Sequence, residues 1–155
     1  MDELDSAIVR QLQADARQSN RDIARKVGIA PSTCLERIRL LRQRGVIRGY
    51  HADIDLGSLN RGVQALVSAQ VRPLSRTVID SFQRSLVDLP EVMSVFVTAG
   101  SDDFLIHVST PDIDQLHSFL VDRLAIRKEV IAFRTSIIFR HHRKTTVEPL
   151  PATTG

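Results

Sequence analysis

The 155-residue chain contains a single cysteine and no long uninterrupted apolar run. One cysteine cannot form an internal disulfide, so packing or association must hold the fold together. A helical membrane span needs about 20 apolar residues, and the acidic start of the chain is unlike a secretory signal. These absences argue against a membrane protein and against a disulfide-stabilised secreted one. We therefore expect the protein to lie in the cytoplasm.

The residue patterns of common catalytic and metal sites are also missing. Cys34 falls on an apolar helical stripe, which favours a core position over a nucleophile. Neither His107 with His117 nor the adjacent histidines 141–142 have the spacing of a zinc site. There is no glycine-rich phosphate loop. We expect the protein not to be an enzyme and to hold no metal or cofactor.

Positive charge is modest over the whole chain, at +3, but it is concentrated in the first third. Residues 1–50 carry ten Lys or Arg against six Asp or Glu, whereas residues 51–155 carry eleven against twelve. Such a local excess is typical of a surface that binds phosphates. A solvated helical face would have the same composition.

This basic segment has the hydrophobic spacing of three short helices, because apolar residues recur every three or four positions before residue 42. Ser19 fits the N-cap of the second helix, Gly28 its end, and Pro31 the first turn of the third. Two short helices joined by such a turn predict a helix-turn-helix, and residues 46–50 fit its wing strand. A plain three-helix unit of a larger domain is the alternative.

The polar face of the third helix, residues 31–43, is expected to enter the DNA major groove. Arginine can bond to guanine in a bidentate manner, and the surrounding basic groups can contact phosphates. The predicted DNA-binding residues are Asn20, Arg21, Ser32, Thr33, Glu36, Arg37, Arg39 and Arg48. The alternative is an effector-binding or assembly protein whose N-terminal helices contact other proteins. Binding to duplex DNA that weakens steeply as salt rises would distinguish the two.

After residue 50 the pattern changes, which predicts a second domain behind a linker. From residue 63 the periodicity gives strand, helix, strand, strand, helix and strand. That order predicts an α+β fold, the ferredoxin-like βαββαβ unit, in which an antiparallel four-stranded sheet carries both helices on one face. The predicted segments are a winged helix-turn-helix (1–50), a linker strand and turn (51–62), the ferredoxin-like domain (63–144) and a disordered tail (145–155).

Alternating positions separate the two faces of the predicted sheet. In the last strand, the residues assigned to the helix-covered face are Ile131, Phe133, Ile137 and Phe139. The other face should be polar, yet every strand places an apolar residue there: Leu66, Phe96, Leu105 and Ile138. An apolar centre with a polar rim is typical of an interface and predicts a homodimer that forms sheet to sheet. Isolated apolar residues on a surface are also common.

Several stretches carry a resemblance to a known family. In the first domain they are Leu4-Asp5 with Ile8 and Leu12, Arg17, Ser19, and residues 27–29, 34–38 and 45–50; in the second they are Gly100, Asp103-Phe104 and Arg134-Thr135. Over roughly residues 1–144 the chain thereby resembles the Lrp/AsnC family of transcription regulators. The resemblance implies dimers that form through the sheets and larger assemblies such as octamers. Ala30 departs from the family, whose members usually have a serine that caps the recognition helix.

The resemblance also implies a non-covalent amino acid effector, held near the loop between the middle strands at an interface between dimers. In that loop, residues 98–103, Gly100 lets backbone N–H groups reach a carboxylate, and Asp103 could hold an ammonium group. The implied effector residues are Val97, Gly100, Ser101, Asp102, Asp103, Ser136 and Ile137. An ordinary hairpin turn has a similar composition. The expected partners are thus double-stranded DNA, an amino acid and further copies of the chain, with no membrane.

Overall fold

The computed structural model describes residues 1–151 and divides the chain into two compact units. The first unit contains residues 1–52 and the described residues from His142 onward, and the second contains residues 53–141. Each unit has its own apolar core. Within residues 1–151, no helix combines the length and the apolar character that a membrane span requires.

The first unit consists of three helices: α1 (Glu3–Ala14), α2 (Asn20–Val27) and α3 (Pro31–Gln43). Ser19 caps α2, as predicted, by accepting the backbone N–H of Asp22 at 3.1 Å. Gly28 ends α2 with a φ of 74°, a left-handed conformation that glycine adopts without a Cβ penalty. The chain then turns directly into α3. This arrangement confirms the predicted helix-turn-helix.

The core of the first unit is small. Its fully buried members are Ile8, Ile23, Ala24, Cys34 and Leu41. Burial raises the pKa of the Cys34 thiol, which disfavours the reactive thiolate and agrees with a packing role. Ile47 packs against this core, but residues 46–50 form no strand, so the predicted wing strand was wrong. The β-prone composition there reflects the burial of Ile47 against helices rather than pairing with another strand.

The linker between the units is not the predicted extended strand either. Residues 51–56 pair with no other strand, and Gly57–Leu59 forms a 3₁₀ turn. The Asp55 carboxylate accepts both the N–H and the hydroxyl of Ser58 at 2.7 Å, and these bonds lower its pKa. The local turn therefore satisfies polar groups that a lone strand would leave unpaired.

The second unit contains two helices and four strands: β1 (Val63–Val71), α4 (Arg76–Val87), β2 (Val92–Val97), β3 (Phe104–Thr110), α5 (Ile113–Phe119) and β4 (Val130–Ile137). A π-helical segment, Leu120–Ala125, continues α5. The strand order is β2-β3-β1-β4, and all neighbours are antiparallel. This order confirms the predicted ferredoxin-like fold.

One face of the sheet packs against both helices. The β1 residues on this face, all fully buried, are Ala65, Val67, Ala69 and Val71. They share a single cluster with Phe82 of α4 and Phe119 of α5. The opposite face, named the open face below, carries no helix of this unit among the described residues.

The last strand departs from the predicted alternation. A bulge lies opposite Gln70 and Val71, so Ile131 is skipped in the pairing and is 56% exposed. The strand ends at Ile137, and Phe139 beyond it is 97% exposed. The assignment of both residues to the covered face was therefore wrong: the bulge takes Ile131 out of the alternation, and Phe139 lies beyond the end of the strand.

The segment expected to be a disordered tail makes specific contacts with α1. The Gln13 side chain donates to the Val147 carbonyl at 3.0 Å and accepts the Val147 N–H at 2.9 Å. Arg10 forms a bidentate ion pair with Glu148. The start of this segment is thus attached to the helical unit. Residues 152–155 lie outside the described part of the chain.

Candidate nucleic-acid interface and ligand loop

The outer face of α3 presents polar side chains that are free to meet a partner. Ser32, Glu36 and Arg39 are all exposed along it. Arg39 donates two hydrogen bonds to Glu36, at 2.8 and 2.6 Å, which lower the pKa of Glu36 and raise that of Arg39. Because both side chains are more than half exposed, solvent screens the pair and it can open easily.

Arg37 is directed toward α1 rather than outward. Its Nη1 donates to Asp2 at 2.7 Å and to Asp5 at 2.8 Å, and its side chain is only 30% exposed. Arg44, just after α3, reaches the same Asp5 at 3.1 Å. This geometry favours a structural role for Arg37. Helical spacing places Arg37 near the polar face but gives no sign of carboxylates more than thirty residues earlier in the sequence.

The start of α3 lacks a side-chain cap, as Ala30 leads us to expect. The Asn20 side chain donates instead to the Pro31 carbonyl at 2.7 Å and so links α2 to the turn. The backbone N–H groups of Ser32 and Thr33 have no acceptor among residues 1–151. Uncapped N–H groups at a helix start are positioned to bind an anion such as a phosphate.

Three further arginines lie on α3 or in the segments next to it in the sequence. Arg21, Arg42 and Arg48 are exposed, and none forms an ion pair within the described chain. Arg42 was not among the predicted contacts, although it lies three residues after Arg39 on the same helix. In the sequence, Arg42 could have been recognised only as a basic residue on the solvent-facing side of the predicted third helix.

The loop at residues 98–103 joins β2 to β3. Thr98 closes it, because its N–H donates to the Asp103 carbonyl at 2.9 Å and its hydroxyl to the Asp102 carbonyl at 2.6 Å. The N–H groups of residues 99–102 have no acceptor among the described residues. A Cβ at Gly100 would meet no atom within 4 Å, so the space beside the loop is open. Consecutive unpaired N–H groups can bind a carboxylate.

Asp103 attaches this loop to the sheet. Its carboxylate accepts the Val71 N–H at 2.8 Å and an Arg72 N–H at 2.9 Å, and its side chain is only 13% exposed. Its own N–H donates to the Ala69 carbonyl at 3.0 Å. These bonds favour a structural role for Asp103 over the expected contact with an ammonium group.

Asp102 is the more available carboxylate of the loop. It pairs with Arg134 of β4 at 2.5 Å, and Arg134 is 65% exposed. Gln70 supports the loop by donating to the Ser101 carbonyl at 2.7 Å. Arg134 was not predicted as an effector residue, although it belongs to the stretches that carry the family resemblance.

The two predicted effector residues of β4 do not join the loop within one chain. Ser136 lies two residues beyond Arg134, about 7 Å further along the strand, and pairs with Leu66 on the open face. Ile137 pairs with Ala65. Val97 lies at the start of the loop, so the structure groups it with residues 100–103 and leaves Ser136 and Ile137 apart.

The four predicted interface residues share the open face. Phe96 pairs with Leu105 across β2 and β3, and Leu66 lies diagonally next to Leu105 on β1. Ile138 follows β4 and donates its N–H to the Gln64 carbonyl at 2.8 Å. Phe96 is 51% exposed. Together they form a diagonal apolar band across the sheet.

His107 lies within the same face. Its Nε2 is 3.0 Å from the Gln64 side-chain oxygen, and its ring meets that of His141 edge-on at 5.9 Å. Burial, and then the proximity of His141, lower the pKa of His107. No group of three or more His, Cys, Asp or Glu side chains within residues 1–151 is arranged to hold a metal ion.

Comparisons with known protein families match both units. The model of the AsnC-type helix-turn-helix domain matches residues 1–42, and that of the Lrp/AsnC ligand binding domain matches residues 64–148. The HTH-type transcriptional regulator AldR of Mycolicibacterium smegmatis is 41% identical over 143 residues, which cover 92% of this chain and 84% of AldR. The transcriptional regulator AzlB of Bacillus subtilis is 31% identical over 150 residues, which cover 97% and 96%.

Solved structures agree with these matches. A transcriptional regulator of Neisseria meningitidis, solved as a complex with L-Met, superimposes with a TM-score of 0.87 at 28% identity, covering 99% of this chain and 97% of that chain. AsnC of E. coli superimposes with a TM-score of 0.85 at 26% identity, covering 96% and 99%.

Proposed function

The chain belongs to the Lrp/AsnC family of transcription regulators, and from that premise we propose that α3 reads DNA sequence through its outer face. The reading residues are Ser32, Thr33, Glu36 and Arg39. The observation that carries this proposal is that this face is exposed to solvent. Arg37, by contrast, is bonded to Asp2 and to Asp5 of α1. Of the two α3 arginines predicted to contact DNA, Arg37 and Arg39, Arg39 is therefore the one placed for a bidentate contact with guanine.

Phosphate contacts surround this reading face. Arg21, Arg42 and Arg48 supply guanidinium groups that form no ion pair among residues 1–151, and the N–H groups of Ser32 and Thr33, which have no acceptor in the same range, supply backbone donors. Phosphate contacts fix the orientation of the protein on the duplex, whereas base contacts select the sequence. Because its proposed partner is double-stranded DNA, we propose that the protein acts in the cytoplasm.

Replacing Arg39 tests the reading face. The probe is a duplex that the parent protein selects from a random-sequence pool. Arg39→Ala should weaken binding to it by about 1–3 kcal/mol and relax the preference at one base pair. Arg123→Ala removes the same charge from an exposed site in the second unit and should leave binding unchanged. Equal affinities for the parent and Arg39→Ala would exclude Arg39 as a reader, and failure to select any duplex would favour protein contacts for the N-terminal helices.

An amino acid at residues 98–103 is the proposed effector. The ligand binding domain that matches residues 64–148, and the L-Met complex of the Neisseria relative, support this class of ligand. The free N–H groups of residues 99–102 would bind its carboxylate. Asp102 would accept its ammonium group in place of the guanidinium of Arg134, whose side chain is 65% exposed.

A thermal-shift screen of the twenty amino acids, followed by calorimetry, tests this site. Asp102→Asn should weaken binding of the amino acid that stabilises the parent by at least about tenfold, because it removes a charged acceptor. Asp114→Asn, an exposed change on α5, should leave that affinity unchanged. If none of the twenty stabilises the parent, the effector is of another class.

Sheet-to-sheet association through the open face is the proposed assembly, as a homodimer and then a larger form such as an octamer. A dimer would present two copies of α3 about one helical turn of DNA apart. Ser136 and Ile137 could then approach the loop of another copy, which one chain alone does not bring about. The effector would act by binding one assembly more tightly than another.

Sedimentation of interface variants tests this assembly. Phe96→Asp places a charge in the apolar band, at its end on the edge strand β2, and should shift the chain toward monomer. Ile126→Asp alters a residue that is 71% exposed outside the sheet and should sediment as the parent does. If Phe96→Asp leaves the assembly intact, the contact lies on another face.

A further inference from the structure

We infer that Asp5 is a positioning residue for DNA recognition, because it ties α3 to α1 at two points and so fixes the orientation of the reading face. This inference rests on the proposed reading face of α3. Asp5, Arg37 and Arg44 form a cluster that we name the clamp. We assign to the clamp an indirect role in specificity: its members do not touch DNA but orient the helix that does.

Both oxygens of Asp5 are used in the clamp. Oδ1 accepts from Arg37 at 2.8 Å and Oδ2 from Arg44 at 3.1 Å, while the Asp5 side chain is only 6% exposed. A buried carboxylate persists only when opposite charges and donors compensate its lost hydration. Arg37 of α3 and Arg44, its C-cap, are thus the groups that make a charge at this position of α1 tolerable.

The two anchors are well separated along α3. Arg37 and Arg44 are seven residues apart, which corresponds to about 10 Å of helix axis. Two attachments to one carboxylate resist both rotation and sliding of α3, whereas a single attachment would act as a pivot. A rotation of about 20° moves side-chain atoms some 6 Å from the axis by about 2 Å, which is enough to break a hydrogen bond to a base.

Asp2 completes the support of the clamp. Its carboxylate caps α1 by accepting the Asp5 N–H at 2.7 Å, and it also accepts from Arg37 at 2.7 Å. These two bonds hold the pKa of Asp2 below its usual range. Bonds to Asp2 and Asp5 raise the pKa of Arg37, whose charge is neutralised inside the protein. With Asp2 included, two carboxylates therefore pair with the two guanidinium groups of the clamp, and the group offers DNA little net charge.

If the clamp positions α3, removing Asp5 should change DNA affinity in the direction opposite to that expected from electrostatic repulsion alone. Removing a negative charge close to DNA should strengthen binding, because repulsion from the phosphates decreases. If Asp5 positions α3, its removal should weaken sequence-specific binding instead. Glu3 provides a matched control, since it lies in the same first turn of α1, is exposed and has no side-chain partner among residues 1–151.

The experiment measures the affinity of the full-length chain for two duplexes over a range of salt concentrations. One duplex is selected by the parent from a random pool, and the other has the same composition in scrambled order. Asp5→Asn should lower affinity for the selected duplex about 10- to 100-fold, with an unchanged salt slope and unchanged binding to the scrambled duplex. Glu3→Gln should bind both at least as tightly as the parent. Arg37→Gln should lower affinity for the selected duplex as Asp5→Asn does. The double variant should bind that duplex no less tightly than whichever single variant binds it less tightly.

Two results would overturn the inference. One is a folded Asp5→Asn that binds the selected duplex as tightly as the parent or more tightly. The other is a salt slope that falls by about one in Arg37→Gln, which would mean that Arg37 contacts a phosphate. If circular dichroism shows that Asp5→Asn is unfolded, Arg44→Gln replaces it, because it removes only the anchor that is half exposed. That variant should still lose at least about threefold in affinity, and no loss would count against the clamp.

The failure of this inference can be told apart from failure of the proposed function. If the parent selects no duplex, the reading face itself is wrong. If Arg39→Ala weakens selective binding while the clamp variants do not, the reading face stands and Asp5 has no positioning role.

Discussion

The two units of this chain are stabilised in different ways. Among the described residues, the α/β unit buries twelve apolar residues in one cluster that joins the sheet to both helices, whereas the helical unit buries five. Small units bury a smaller share of their surface and depend more on other interactions. The helical unit adds a buried carboxylate, Asp5, between two arginines. Packing thus holds the sheet and its helices together, whereas α3 is held by both its buried residues and its charge pairs with Asp5.

The largest effect should come from the core of the α/β unit. Phe82 is 1% exposed, meets Phe104 edge-on at 4.7 Å and lies under the Arg127 guanidinium at 5.3 Å. Phe82→Ala should reduce the free energy of unfolding by about 3–5 kcal/mol, measured with urea. Phe139→Ala, at a site 97% exposed, should change it by less than about 0.5 kcal/mol. Similar losses for both would contradict the assigned core.

A core substitution in the helical unit should have a smaller and more local effect. Leu41 of α3 is fully buried, and Leu41→Ala should cost about 2–4 kcal/mol. Hydrogen exchange should quicken in α1 to α3 but not in β1 and β3, because the two cores are separate. Leu40→Ala, at a site 38% exposed, is the control. Equal loss of protection in both units would show that they unfold as one.

A weaker effect should follow the protonation of His107. Burial, and then the nearby His141, hold the pKa of His107 below the ordinary value of about 6.5 that the unfolded chain restores. Its contribution to stability is therefore complete above about pH 6.5 and is lost as the pH falls through the lower folded pKa. His107→Gln should flatten this part of a urea-midpoint profile between pH 7.5 and 5, whereas His117→Gln should not. A profile unchanged by His107→Gln would contradict the assignment.

The smallest effect should come from the segment that follows β4. Arg10 and Glu148 are each about half exposed, so solvent screens their pair and Glu148→Gln should lower the thermal midpoint by no more than about 3 °C. Glu129→Gln makes the same chemical change at a carboxylate whose nearest cation, Arg127, is 3.8 Å away, and it serves as the control. A decrease well above about 3 °C in Glu148→Gln would place this segment among the main supports of the helical unit.

Features encoded within one element could be predicted from the sequence. The alternation along β1 and the Ser19 and Gly28 ends of α2 depend on residues a few positions apart. The order of these elements was enough to predict both folds.

Features set by distant partners could not be predicted in this way. Arg37 falls next to the polar face of α3 by spacing, but its carboxylates lie on another helix. Asp103 has the composition of a ligand group, yet Val71 and Arg72 use its carboxylate. The bulge that displaces Ile131 arises from pairing between strands. In each case the deciding contact spans tens of residues.

The salt dependence of duplex affinity tests the central claim most directly. With Arg21, Arg42 and Arg48 contacting phosphates from each of two copies, the logarithm of affinity should fall linearly with the logarithm of salt concentration, with a slope of about −5. The selected duplex should also bind more tightly than its scrambled counterpart at every salt concentration. Affinity that does not change with salt, or that is equal for both duplexes, would contradict the account of α3 as a DNA-reading helix.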